Sequence, residues 1–213
     1  MSRTSHGLMA LLFVGAAGAQ ASVPLTANMT NGQENPPVSP TTSTGAPRPI
    51  SFGNATFLIN DAMNSMSFSA MVNNIDVTGL QTADVNDNLV AAHIHAPAPP
   101  GANSPVVWGF FGTPMNDNQP MNVTLTPFAS GVGGTFAGTW DTLEGNNTTF
   151  TAQVQNILAG LSYINFHTTQ FAGGEIRGQI TVVPEPETYA LMLAGLGAMG
   201  LLARRRKGSG ASR

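Results

Sequence analysis

Apolar and polar residues alternate with a period of two over several short stretches of the chain. Ala55, Phe57 and Ile59 fall on one side of an extended segment, and Met66, Phe68, Ala70 and Val72 repeat the pattern in the next. Such alternation places successive side chains on opposite faces of a half-buried strand. Asn60-Asp61-Ala62-Met63-Asn64 supplies the hairpin connection between the two. Further strands are expected at 22–30, 88–95, 105–111, 121–126, 132–140, 161–168 and 175–183. Residues 149–159 differ: Val154, Ile157 and Leu158 stand at helical spacing, with Gly160 as the stop. The pattern predicts an all-β fold, an antiparallel β-sandwich or barrel of about 8–9 strands with one short helix near 149–159. Residues 35–49 read as a mobile Pro/Ser/Thr-rich loop, and 96–105 as a stiff proline-rich connection.

The two ends follow other rules. Residues 1–21 carry Arg3, an apolar run from Gly7 to Ala19, and the small-residue pattern Ala19-Gln20-Ala21. This is the layout of a secretory signal peptide, too short in its apolar part for an ordinary membrane span. At the other end, Val183-Pro184-Glu185-Pro186-Glu187 precedes an uncharged run from Tyr189 to Ala203, followed by Arg204, Arg205, Arg206 and Lys207. A helix over 189–203 reaches roughly 23 Å against a hydrocarbon core of about 30 Å. It suits a transient transmembrane helix with the arginines held on the cytoplasmic side. A permanent anchor is the alternative. Proline, glutamate, proline, apolar run and basic cluster in this order resemble the PEP-CTERM sorting signal of Gram-negative bacteria, over residues 183–207. The resemblance implies an inner-membrane-bound precursor, cut near Pro184-Glu185-Pro186 by an exosortase-type protease and released to the cell surface or outside. Residues 208–213 are expected to be a disordered end.

Between the signals lie about 160 residues, enough for one domain with its own core. The chain is formally −3, yet residues 22–183 hold nine acidic residues against Arg48 and Arg177 alone, a balance of −7. Nucleic acid and anionic membrane surfaces need Lys/Arg contacts, so neither is expected as a partner of this domain. The chain has no cysteine, which excludes zinc–thiolate sites and cysteine nucleophiles. No Gly-x-Ser-x-Gly elbow supports a hydrolase. Asp84-Val85-Asn86-Asp87-Asn88 offers oxygen ligands without the spacing of a calcium loop and reads as an Asn/Asp-rich turn. Trp108 and Trp140 lie in apolar strands and belong to the core.

Histidines carry what chemistry there is. His6 leaves with the signal peptide, which leaves His93 and His95 in Ala91-Ala92-His93-Ile94-His95, and His167 in Tyr163-Ile164-Asn165-Phe166-His167-Thr168. On strands these imidazoles lie opposite Ile94 and Phe166, facing away from the core or toward a loop-covered edge. Glu175, Arg177 and Gln179 share one face of the next strand, in a register able to set Glu175 or Arg177 beside His167 as an orienting neighbour. Three histidines, two of them at H-x-H spacing, suit Zn or Cu. Alternatively, the same side chains hydrogen-bond loop backbone and tie residues 96–105 to the sheet.

Ala92-His93-Ile94-His95-Ala96-Pro97-Ala98, followed by Tyr163–Thr168 and by Gly173-Gly174-Glu175-Ile176-Arg177-Gly178-Gln179-Ile180, resembles the CHRD domain. Leu25-Thr26-Ala27 and Asn31-Gly32-Gln33-Glu34-Asn35-Pro36-Pro37-Val38 match that family's opening, so the resemblance spans about residues 23–182 of a domain expected over 22–182. The sequence departs from it in a longer 81–90 connection and at Ala96, where glycine is usual. The family is predominantly β and was first named in chordin. It occurs in many bacterial exported proteins whose members carry no settled activity. The expectation is an exported, non-enzymatic surface or matrix protein that binds an extracellular polysaccharide or a surface protein. The alternative is a Cu/Zn-binding protein, or an oxidoreductase analogous to superoxide dismutase, built on His93, His95 and His167.

Overall fold

A computed structural model of the chain describes residues 21–184, 192–196 and 199. Residues 1–20 of the signal-peptide segment, Glu185, Pro186, most of the apolar run, the 204–207 basic cluster with Arg204, Arg205 and Arg206, and residues 208–213 lie outside the described residues. Among the described residues no helix is long and apolar enough to cross a membrane.

The alternating stretches become strands with the expected faces inward. In β1 (Val23–Thr30), β2 (Phe52–Ile59) and β3 (Met66–Asn73), the buried residues are Leu25, Ala27 and Met29, then Ala55, Phe57 and Ile59, then Met66, Phe68, Ala70 and Val72. Antiparallel register pairs Ala27 with Ala55 and Phe57 with Phe68. The β2–β3 turn is closed by Asn60, whose Oδ1 accepts from the Asn64 and Ser65 amides. β4 (Leu89–His95), β5 (Val106–Phe111), β6 (Thr124–Pro127), β7 (Gly133–Trp140) and β8 (Tyr163–Thr168) follow. The last expected strand divides into β9 (Ile176–Gln179) and β10 (Thr181–Val182), so that among the described residues nine strands follow one another in the sheet and the short β10 lies off that path. The break falls at Ile180, whose amide donates to the Ser162 carbonyl. β9 stays with β8, while β10 pairs with β1.

Among the described residues the strands belong to one antiparallel sheet in the order β5-β4-β8-β9-β1-β2-β3-β7-β6, with β10 beside β1 off this path. β9 and β1 share a single registered pair, Thr30 with Arg177, and the seam continues where β10 pairs Val182 with Leu25 and Thr181 with Thr26. The sheet curls into a half-barrel, so residues near its two ends meet. Trp108 of β5 stacks on Trp140 of β7 with ring centroids 5.3 Å apart, and Phe110 lies 5.0 Å from Phe68 and 5.8 Å from Phe166. Both tryptophans are fully buried, and Glu144 satisfies both indole N–H groups, one through its carboxylate and one through its carbonyl.

The helix α1 (Phe150–Leu158) is capped by the Thr149 hydroxyl, which accepts from the Ala152 amide. Phe150, Val154 and Ile157 are buried, one helical face laid on the core beside Trp140. The 35–49 loop is tied down, contrary to the mobility its composition suggests. Arg48 forms a buried ion pair with Glu175, and the Thr41 amide donates to Gln170 Oε1 at 3.1 Å. The Asp84–Asn88 stretch is a turn whose Asp84 carboxylate accepts from the Ser43 and Asn86 amides.

Candidate metal centre

β4 and β8 are adjacent antiparallel strands, and the pairing sets His93 opposite Asn165 and Ala91 opposite His167. Ala92, Ile94, Ile164 and Phe166 fill the core from one face of this pair. His93, His95, Tyr163, Asn165 and His167 occupy the other, yet all of them are buried too. A sheet buried on both faces loses the alternating signal that one solvated face would give. Loops form the second cover. One is the 112–116 turn, which lies against β5 because residue 109 is glycine. A Cβ there would stand 1.8 Å from the Pro114 carbonyl oxygen and 3.1 Å from the His93 ring. The others are the proline-rich 96–105 connection and the β8–β9 turn.

These loops orient the rings. His95 Nδ1–H donates to the Ser104 carbonyl at 2.8 Å, and His167 Nδ1–H to the Ala172 carbonyl at 3.0 Å. Each bond fixes the tautomer that leaves Nε2 with a free lone pair. His167 Nε2 faces His93 Nδ1 at 3.1 Å, while His95 Nε2 and His93 Nε2 are buried without a hydrogen-bond partner among the described residues. One nitrogen from each ring falls within 4.8 Å of the other two.

Burial suppresses the positive charge of all three imidazoles. His93 is pushed down to about 3 by desolvation, helped by its proximity to His167 and His95. His95 is pushed down to about 4, again mainly by desolvation, with the Ser104 bond working the other way. Burial likewise lowers His167, against the bond to Ala172. At neutral pH the cluster is three uncharged nitrogen donors, the state a metal requires.

This donor set fits zinc or copper. Tetrahedral zinc–imidazole bonds of about 2.0–2.1 Å put ligand nitrogens about 3.4 Å apart, so a nitrogen at the far limit moves in by about 1.4 Å. His93, His95 and His167 would hold the ion and leave one coordination position open.

The β8–β9 register runs toward His167 and Glu175 as expected, but the Glu175 side chain turns to other partners. Its carboxylate is fully buried but bonds Arg48, Ser51 and Thr168, so backbone carbonyls do the orienting that was assigned to it. Arg177 reaches the cluster indirectly. Its guanidinium lies 4.7 Å above the Tyr163 ring, and Tyr163 stacks on His95 with centroids 4.7 Å apart and planes 4° from parallel. Tyr163 and Asn165 escaped the sequence reading although their two-residue spacing from His167 places them on its face. Ser104 and Ala172 act through backbone carbonyls and leave no sequence signal. Pro184 is the one residue of the Pro184-Glu185-Pro186 signal within the described residues.

The family model described as CHRD domain matches residues 25–180, and the one described as PEP-CTERM protein-sorting motif matches residues 182–207. No curated protein and no solved structure matches the chain.

Proposed function

The chain belongs to the CHRD-domain family, and on that premise we propose that it is a non-enzymatic surface protein whose domain binds a divalent transition metal. Its PEP-CTERM motif implies export and processing by an exosortase-type system. The inner-membrane precursor, and release near Pro184-Glu185-Pro186, belong to the proposal. So does service at the cell surface, where the domain meets a polysaccharide or another surface protein.

The observation that carries the metal reading is one nitrogen from each of three buried rings within 4.8 Å of the others, with the His167 Nε2 facing His93 Nδ1 at 3.1 Å and the His95 Nε2 left without a partner among the described residues. A buried polar atom without a partner costs about 1–3 kcal/mol. Rings that served only to tie loops down would need their Nδ1 bonds alone. Here the Nδ1 bonds of His95 and His167 turn the Nε2 lone pairs toward a shared interior, an arrangement that zinc or copper satisfies.

Metal analysis of the exported protein, purified without a chelating resin, tests this. One equivalent of zinc or copper is expected in the wild type and little in His93→Ala or His95→Ala. Wild-type protein that neither arrives with metal nor takes up zinc or copper contradicts the reading. Superoxide turnover by the copper-loaded protein would move it among the oxidoreductases and end the non-enzymatic part. Cell fractionation tests the destination: mature protein confined to the cytoplasm would refute it.

A further inference from the structure

His167 has one lone pair to give. Its Nδ1–H is committed to the Ala172 carbonyl at 3.0 Å, so only Nε2 remains as an acceptor. That nitrogen faces His93 Nδ1 at 3.1 Å, and a hydrogen bond between them needs the proton on His93 Nδ1. His95 takes no part in this bond, because its own Nδ1–H goes to the Ser104 carbonyl. Two of the three rings therefore share one N–H···N bond, and the direction of that bond is fixed by a backbone carbonyl on the His167 side.

This tautomer leaves a mismatch on the other edge of His93. The Cδ2–Nε2 edge lies on the 112–116 turn: a Cβ on Gly109 would stand 3.1 Å from Cδ2 and 1.8 Å from the Pro114 carbonyl oxygen. Thr113 of that turn acts on the imidazole as a backbone acceptor. With its proton on Nδ1, His93 offers this acceptor only a lone pair, and its Nε2 is buried without a hydrogen bond among the described residues. An orphaned polar atom of this kind costs about 1–3 kcal/mol. The opposite tautomer would satisfy Nε2 but abandon His167 Nε2. One neutral ring cannot serve both neighbours unless something else takes the His167 lone pair.

We propose that zinc is taken up by a tautomer exchange at His93: this ring coordinates through Nδ1 and carries its proton on Nε2 for the Thr113 carbonyl, while His95 and His167 coordinate through Nε2. The inference rests on the metal reading above and adds which atoms bind and which ring changes. His93 Nδ1 already stands 3.1 Å from His167 Nε2, close to the separation of about 3.4 Å between nitrogens of a tetrahedral zinc site. Its Nε2 lies on the far side of the ring, against the turn. In the exchange the Nδ1–H bond breaks and an Nε2–H bond forms. No proton leaves His93, so the three imidazoles are neutral in both states. The 112–116 turn gains a hydrogen bond only when the site is filled, which makes this turn the segment that registers occupancy.

Imidazole tautomers read from two-bond ¹H–¹⁵N couplings in the exported protein, first chelated and then with one equivalent of zinc, test it. His93 should carry its proton on Nδ1 without metal and on Nε2 with zinc, its Nδ1 then showing the shift of a metal-bound nitrogen. His95 and His167 should keep their protons on Nδ1 throughout. In chelated His167→Ala the His93 tautomer ratio should move about fivefold or more toward Nε2–H, because Nδ1–H has lost its acceptor. Zinc that shifts His95 and His167 but leaves the His93 proton on Nδ1 overturns the exchange and spares the metal reading. Failure to take up zinc ends the proposal, and the metal reading falls with it only if copper is refused too. A chelated wild type with the His93 proton already on Nε2, or a ratio unmoved in His167→Ala, would overturn the proposal as well.

Discussion

Acidifying the metal-free protein from pH 6.5 to pH 5 perturbs the site without changing a residue. His93 and His95 titrate near 6.5 when unfolded but are held at about 3 and about 4 in the fold. Over this interval the unfolded chain takes up protons that the folded chain refuses, so stability falls with falling pH. At 1.36 kcal/mol per pH unit at full slope, and with half-titration at the start, each histidine removes about 1.5 kcal/mol. Glu34 acts in the opposite direction. Its folded value of about 7 lies above its unfolded 4.5, so the fold takes up a proton across the same interval and gains about 1.5 kcal/mol. The two histidines together exceed Glu34, leaving a net loss of about 1.5 kcal/mol from these groups, and His167 adds to it in the same direction. Glu34→Gln removes the offset, so the loss in the variant is about 3 kcal/mol, or about 6–12 °C in unfolding temperature for a domain of this size. Urea and thermal unfolding of the chelated wild type and variant at pH 5.0 and 6.5 measure both slopes. Carboxylates common to the two proteins cancel in the comparison. A variant whose stability falls no more steeply than the wild type's refutes the reasoning.

Arg48→Met leaves the fully buried Glu175 without its cation and is expected to cost about 3–5 kcal/mol in urea unfolding, with much of this recovered in Arg48→Met/Glu175→Gln. Gly109→Ala drives a methyl group into the Pro114 carbonyl and should displace the 112–116 turn, weakening zinc binding more than tenfold in a competition titration. Phe110→Ala empties a site surrounded by Phe68, Phe136 and Phe166, and a loss of about 3–5 kcal/mol is expected by the same unfolding assay. Replacing Pro184-Glu185-Pro186 by alanines should leave the tail attached, seen by intact-mass measurement as an uncut precursor in the membrane fraction.

Much of this fold is written in the alternation of residues 52–59 and 66–73, because those strands keep one face in water. β8 was harder to read: Ile164 and Phe166 face the core, while Tyr163, Asn165 and His167 are buried under loops, so both faces read as interior. The division at Ile180 had no local marker, since the change of partner from β8 to β1 is a matter of sheet geometry. Spacing was enough to place His93 and His95 on one face, and the antiparallel return of β8 brought His167 beside them. The partners of the rings could not be read, because Ser104 and Ala172 contribute carbonyls that every residue possesses. Glu175 and Arg177 share a face, as their spacing requires. Glu175 is drawn instead to Arg48, 127 positions away, through a loop whose composition alone suggested mobility.

Long-range ¹H–¹⁵N NMR of the imidazoles during a zinc titration addresses the metal centre most directly. In the metal-free protein at pH 6.5, His95 and His167 should be neutral with the proton on Nδ1. One equivalent of zinc should move the Nε2 resonances of both rings together with one nitrogen of His93, and then saturate. Rings that are protonated at that pH, or that keep their shifts after a full equivalent of zinc and of copper, would contradict the account.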